Sequence, residues 1–291
     1  MTGPAAARID AHQHFWRYDP AEYPWIDDAM GGIRRDCLPD EAQREMAGAG
    51  IDACVAVQAR QTLEETRWLL ALAAAHPAIV GVVGWVDLQA PDARRQLELF
   101  ADDPKLVGIR HIVQAEPDDR FMLRHGFCHG IALLEEFGLA YDILIYRRHL
   151  AAAAELARRF ASQRFVLDHL GKPDIRTGER RTWERDLRTL ADCSNVSAKL
   201  SGLVTEADWK GWTAGDIRPY LDVAFDCFGA QRLMIGSDWP VCTVAADYAR
   251  VIALVSDYLV DRPAPDRDAV LGGNAQRFYN LTVTTAAWTA P

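Results

Sequence analysis

His12 and His14, in the run Arg8-Ile9-Asp10-Ala11-His12-Gln13-His14-Phe15-Trp16, are the side chains whose type and spacing best suit chemistry. Alternate residues of a strand share a face, so a strand here points both imidazoles the same way. Two imidazoles on one face, at the carboxyl end of a first strand, suit a metal site or a proton-transfer site. Taken alone, the pair reads equally as one packed and one solvated histidine. Asp238, in Gly236-Ser237-Asp238-Trp239-Pro240, ends another apolar run. A carboxylate there is costly to bury without a partner. Near His12 and His14 it is a general base or a metal ligand; elsewhere it caps a helix or pairs with an arginine.

Further polar residues end apolar runs: Gln58 and Arg60, Arg110 and His111, Asp168 and His169, and Lys199. Lys199 suits a rim salt bridge and a substrate contact equally. Strand alternation separates Arg110 from His111 and Asp168 from His169. If His169 faces inward with Leu167, Asp168 faces outward, unless a bulge at the rim changes the parity. Trp16, Trp85 and Trp239 also fall at strand ends, where they pack the rim or wall a substrate site by stacking on sugar C–H surfaces. His76, His125, His129 and His149 fall where surface or capping roles are expected.

Eight strand-length apolar runs must position these residues. They are Arg8–Phe15, Ala53–Gln58, Ile79–Val86, Leu106–His111, Ala140–Ile145, Arg164–His169, Val196–Leu200 and Arg232–Asp238. Helical patterns lie between them, at Pro39–Gly48, Leu63–Ala75, Pro91–Phe100, His129–Phe137 and Leu150–Arg159. Eight β-then-α units predict a (β/α)8 barrel of TIM type, one domain over residues 1–291, with its chemistry at the carboxyl ends of the strands. The alternative, an open doubly wound sheet, lacks a glycine-rich phosphate loop after the first strand. Pro20–Arg35 and Thr205–Gly215 read as long loops that shape a pocket.

The 291 residues are 49% hydrophobic and carry a formal charge of -9, which argues against nucleic-acid and anionic-membrane partners. No apolar run approaches the roughly 20 residues that span a bilayer. The start of the chain has no secretory pattern, and the six cysteines are dispersed, so reduced, packed thiols in a cytoplasmic protein are expected. The oligomeric state is left open.

The chain resembles the amidohydrolase superfamily, in its branch of lactonases. The matching segments are Ile9–Trp16, Leu167-Asp168-His169-Leu170-Gly171-Lys172-Pro173, Lys199-Leu200-Ser201-Gly202-Leu203, Met234–Pro240 and Asn274–Tyr279, in the right order from about Arg8 to Leu281. The resemblance implies a (β/α)8 barrel that hydrolyses a lactone, a small-molecule ester. It maps the H-x-H pair onto His12 and His14, the sixth-strand histidine onto His169 and the eighth-strand aspartate onto Asp238. Many superfamily members carry a bridging lysine or glutamate after strand four and a histidine after strand five. This chain has Arg110-His111 and then Asp142 and Tyr146 instead, which disfavours a two-metal centre.

Either one divalent ion, with zinc the natural choice for His12, His14, His169 and Asp238, or a metal-free acid–base cluster is expected. In that reading Asp238 is general base and then acid. The three histidines polarise the carbonyl, and Arg110 or His111 adds positive charge. Trp16, Gln58, Trp85, Asp142, Tyr146, Lys199 and Trp239 suit a hydroxyl-rich neutral ring, which favours an aldonolactone of the fuconolactone type. Arg60 and Arg110 keep a dicarboxylate lactone open. A metal-dependent decarboxylase or hydratase on the same barrel, and a sugar-binding module without catalysis, are the competing readings.

Overall fold

The computed structural model describes residues 7–283. Eight parallel strands pair in sequence order: β1 (Ile9–Gln13), β2 (Ala53–Val57), β3 (Ile79–Gly84), β4 (Leu106–Ile112), β5 (Ala140–Leu144), β6 (Phe165–Leu167), β7 (Val196–Leu200) and β8 (Leu233–Ile235). The seam between β8 and β1 is joined just past the strand ends. There Asp238 N–H donates to His12 O at 2.9 Å and His14 N–H to Trp239 O at 2.7 Å. The helices are α1 (Pro39–Ala49), α2 (Leu63–Ala75), α3 (Ala93–Glu98), α4 (His125–Glu136), α5 (Leu150–Arg159), α6 (Arg181–Ala191), α7 (Ala214–Phe228), α8 (Tyr248–Tyr258), α9 (Ala264–Asp268) and α10 (Asn274–Tyr279). This is the (β/α)8 barrel that the eight apolar runs predict.

The strands are short, mostly apolar runs, nearly all of them buried on both faces between barrel interior and helix layer. Local chemistry sets the helix ends: Thr62 caps α2 by accepting from Glu65 N–H at 3.1 Å, and Pro39 opens α1. Two cores result. Large side chains such as Phe127, Leu156 and Trp183 pack between strands and helices. Small ones, among them Ala11, Val55, Val83 and Val166, form a separate inner cluster that Tyr279 and Leu281 join. Asn274 fixes α10 by donating to Ala230 O and Leu233 O at 2.7 and 2.6 Å. No disulfide forms among the described residues; five of the six cysteines are buried. No described helix is long and apolar enough to cross a membrane.

Candidate active site

β1 carries one extra residue relative to β2, between Asp10 and Gln13. The bulge puts Asp10 and Gln13 on one side, where Gln13 Nε2 donates to Asp10 at 2.8 Å and Tyr248 O–H donates to it at 3.0 Å. His12 and His14 point together to the other side, with Nε2 atoms 3.2 Å apart. Asp10 also accepts from the backbone N–H groups of His12 (3.0 Å) and Ser237 (2.9 Å), so one buried carboxylate locks the end of β1 to the segment after β8. Its signal in the sequence was an aspartate inside an apolar run, two residues before His12.

Asp238 follows β8 in a left-handed backbone conformation (φ 62°) that turns its carboxylate over the histidines. Its Oδ1 lies 3.3 Å from His14 Nε2, 3.7 Å from His12 Nε2 and 3.8 Å from His169 Nε2. Burial pushes this carboxyl up, but His169, His14 and His12 outweigh burial and hold it well below the usual carboxylate range. Burial holds His12 well below the ordinary histidine value, and it lowers His169 to about 4.

Asp168 and His169 are adjacent, yet both serve the same region. Val166 belongs to the inner cluster and Leu167 to the outer core, so alternation places Asp168 inward. His169 and Leu170 then adopt left-handed conformations (φ 55° and 51°), and this turn brings His169 back over the barrel. The parity that the sequence left open is thus settled by the turn and not by strand alternation: Asp168 points inward from the strand end, and His169 is brought back by left-handed backbone. Ser201 Oγ holds its Nδ1 at 2.9 Å.

Arg110 and His111 part as alternation requires. Arg110 Nη1 reaches Asp168 at 3.0 Å and His12 Nε2 at 3.3 Å, and its Nη2 bonds Gln58 O. His111 points outward, stacked on Phe121 with ring centroids 4.9 Å apart and bonded to Glu116 at 2.8 Å. Below the histidines, Lys199 Nζ contacts Asp142, Asp168 Oδ1 (3.1 Å) and His12 Nδ1 (3.3 Å), all of them buried. Tyr279 O–H donates to Asp142 at 2.8 Å. Burial raises Asp142 to about 6, with Lys199 offsetting only part of the effect. Burial also raises Asp168, but there Lys199, His12 and Arg110 prevail and hold it well below the usual range.

A cavity of about 430 Å³ opens above this cluster. Of the residues singled out in the sequence, His14, Arg110, Tyr146, His169 and Asp238 border it. Gln58, Asp142 and Lys199 lie beneath, buried and engaged with Arg110 or each other. The three tryptophans expected as a wall lie elsewhere. Trp16 is buried behind His14 and donates to Arg35 O, Trp239 packs on Phe15, and the backbone of Trp85 bonds Thr66. Arg60 is committed to Glu65 at 2.6 Å and to Glu22. Trp25 and Met30 from the first long loop, and Thr205, Glu206 and Trp209 from the second, border the cavity instead, with Lys172 beside them. Lys172 had a signal, Gly-Lys-Pro three residues after His169; Trp25 and Trp209 had none beyond lying in long loops.

Two triads could hold a metal ion: His12, His14 and Asp238, or His12, Asp168 and His169. In the first, Val57 O receives the His14 Nδ1 proton at 2.7 Å, which leaves Nε2 of the neutral ring as a bare lone pair. The separations of 3.2, 3.3 and 3.7 Å match the edge of a zinc tetrahedron, about 3.3 Å for bonds near 2 Å. The donor set therefore fits one divalent ion.

Comparison with known proteins identifies the family. An L-fucono-1,5-lactonase of Burkholderia multivorans is 44% identical over 95% of this chain and 97% of its own length. One from Burkholderia ambifaria is 38% identical over 94% and 96%. A crystal structure of a Burkholderia multivorans amidohydrolase with bound zinc superposes with a TM-score of 0.91 at 44% identity, over 95% of this chain and all of the other. The amidohydrolase family model matches residues 9–281, and the chain belongs to that family.

Proposed function

We propose that this hydrolase opens a sugar lactone of the L-fucono-1,5-lactone type to its aldonic acid, with Asp238 as the proton-transfer group. The observation that carries the reading is one carboxylate, within 3.8 Å of three histidines, facing a cavity large enough for a six-membered ring. The names of the two Burkholderia relatives support the substrate class.

Asp238 takes a proton from water as the water oxygen attacks the lactone carbonyl carbon. Arg110 and His169, both bordering the cavity, face the oxyanion that develops. In the tautomer that serves this step, Ser201 Oγ–H donates to His169 Nδ1 across 2.9 Å, and the Nε2–H of that ring is a donor toward the substrate. A carboxylate held as acidic as Asp238 is a weak base in the free enzyme. The negative charge of the tetrahedral intermediate raises its proton affinity when transfer is needed. The ring C–O bond then breaks, Asp238 returns the proton to the ring oxygen, and the new carboxylic acid ionises. His12 backs the cluster, held by Lys199, Asp168 and Arg110. When bound by His12, His14 and Asp238, a divalent ion supplies positive charge to the carbonyl.

Proton release at neutral pH from L-fucono-1,5-lactone, L-rhamnonolactone and 2-pyrone-4,6-dicarboxylate, before and after chelation, tests this. Preference for the sugar lactones is the expected result. Comparable turnover of the pyrone dicarboxylate overturns it. Turnover lost on chelation and restored by zinc assigns the ion a role, and turnover indifferent to chelator assigns the reaction to the side chains alone.

A further inference from the structure

Lys172 and Glu206 face each other across the cavity wall, and the catalytic steps use neither. Lys172 stands at the end of the left-handed turn after β6 (φ 52°), its N–H donating to His169 O at 2.9 Å. His169, Leu170 and Lys172 hold this conformation without being glycine, and such strain persists where neighbours over-determine it. Glu206 comes from the loop after β7, and Arg176 N–H donates to its carbonyl at 3.0 Å, which ties the two loops together. Lys172 Nζ lies 3.6 Å from Glu206 Oε1 and 5.5 Å from the centre of the Tyr146 ring. That spacing is longer than a direct hydrogen bond, so ammonium and carboxylate each keep bonding capacity toward a ligand.

The charge balance of the wall bears on what that ligand is. Arg110 is paired with Asp168 and Lys172 sits beside Glu206, so each of these cations already has a carboxylate next to it and the wall carries no surplus positive charge from them to reward a dicarboxylate. Arg147 and Arg148 border a neighbouring cavity that shares Lys172 and Glu206, and they are paired with Glu179 and Asp119. A donor and an acceptor a few ångströms apart match a vicinal diol, whose hydroxyls can accept from one and donate to the other.

We propose that Lys172 and Glu206 clamp two adjacent ring hydroxyls of the substrate, Lys172 donating to one and Glu206 accepting from the other. This rests on the sugar-lactone reading and names the residues that select for it. The test compares kcat/KM for L-fucono-1,5-lactone and for δ-valerolactone, the same six-membered ester without ring hydroxyls, in the wild type, Lys172→Met and Glu206→Met, each of which removes the polar group and keeps a side chain of similar length. The ratio of the two falls by roughly 30-fold or more in each variant, mainly through KM for the sugar lactone, because a hydrogen-bonding site then loses its partner. An unchanged ratio, whether both rates fall together or neither falls, overturns the clamp. Should Lys172→Met fail to fold, Glu206→Met, at a half-buried loop position, carries the test alone. A wild type that prefers the sugar lactone while its variants keep the same ratio defeats the clamp only. A wild type that ignores the sugar lactone defeats the functional reading and the clamp with it.

Discussion

Asp238 has three histidines around it, and their effects on protonation run in a consistent direction. Burial lowers His12 and His169, so both are neutral at pH 7, while the carboxylate is ionised. The working state is therefore populated throughout the neutral range, and loss is confined to the acid side. As pH falls toward 4, His169 takes up a proton and pairs with Asp238, which removes the base. The pH profile of kcat/KM in chelator-treated enzyme is expected to stay flat from pH 8 to about 5 and to drop below that; a midpoint near 6.5 would falsify the assignment. Stability follows the same group. The folded value of His169, about 4, lies below the unfolded value near 6.5, so the unfolded chain binds the proton first. Stability is then full above pH 6.5 and declines as pH falls toward 4, by about 3 kcal/mol from this residue, readable as a falling Tm. Asp238→Asn keeps the shape and removes the base. A kcat loss of about a thousandfold, with a far-UV spectrum like that of the wild type, is the expected outcome, and near-normal turnover would remove Asp238 from the mechanism.

The segments just past the strands, more than the strands, carry the site. Gly202 follows β7 with φ 62°, and a Cβ there would lie 2.4 Å from His169 Nδ1 and 2.6 Å from its Cγ. Gly202→Ala must therefore displace the imidazole as well as strain the backbone. A kcat loss of roughly 100-fold is expected, with only a modest fall in Tm, because a small misplacement of a reacting group is costly. An alanine variant with full kcat would show that the position of His169 does not matter. The same segments explain what could be read from the chain. The eight strands were legible because buried parallel strands read as short, mostly apolar runs, and α2 and α5 were legible to the residue because they are rich in Ala, Leu, Glu and Arg, strong helix formers. The helix expected over Pro91–Phe100 is only Ala93–Glu98, and the one expected from His129 begins at His125. His12, His14 and Asp238 were legible as polar residues ending apolar runs. The inward turn of His169, the outward burial of His111 and the replacement of three strand-end tryptophans by Trp25 and Trp209 were not. They depend on left-handed backbone and on loops folding back over the rim, neither of which alternation encodes.

At the scale of the molecule, the barrel interior departs from an apolar plug. Small side chains fill its lower layer, and above them sit Arg110, Asp142, Asp168 and Lys199 as one ionic network that the site rests on. Such a network costs desolvation, and removing one member is worse than never having it. Lys199→Met leaves the two carboxylates in different positions. Asp168 keeps Arg110 at 3.0 Å, whereas Asp142 keeps only the Tyr279 hydroxyl. Asp142 is therefore the orphan, and the single variant is expected to lose on the order of 3 kcal/mol at neutral pH. The loss has a pH signature. Burial already raises Asp142 to about 6 with Lys199 in place, and without that cation it rises further, so the native state holds a proton that the unfolded chain, with a carboxyl near 4, does not. Stability of Lys199→Met thus decreases as pH climbs through the raised value, and its Tm should be higher at pH 5.5 than at pH 8. Adding Asp142→Asn removes the titrating group, so the double variant should recover part of the lost stability at pH 8 and flatten that slope. A double variant as unstable and as pH-dependent as the single one would place the orphaned charge elsewhere in the barrel.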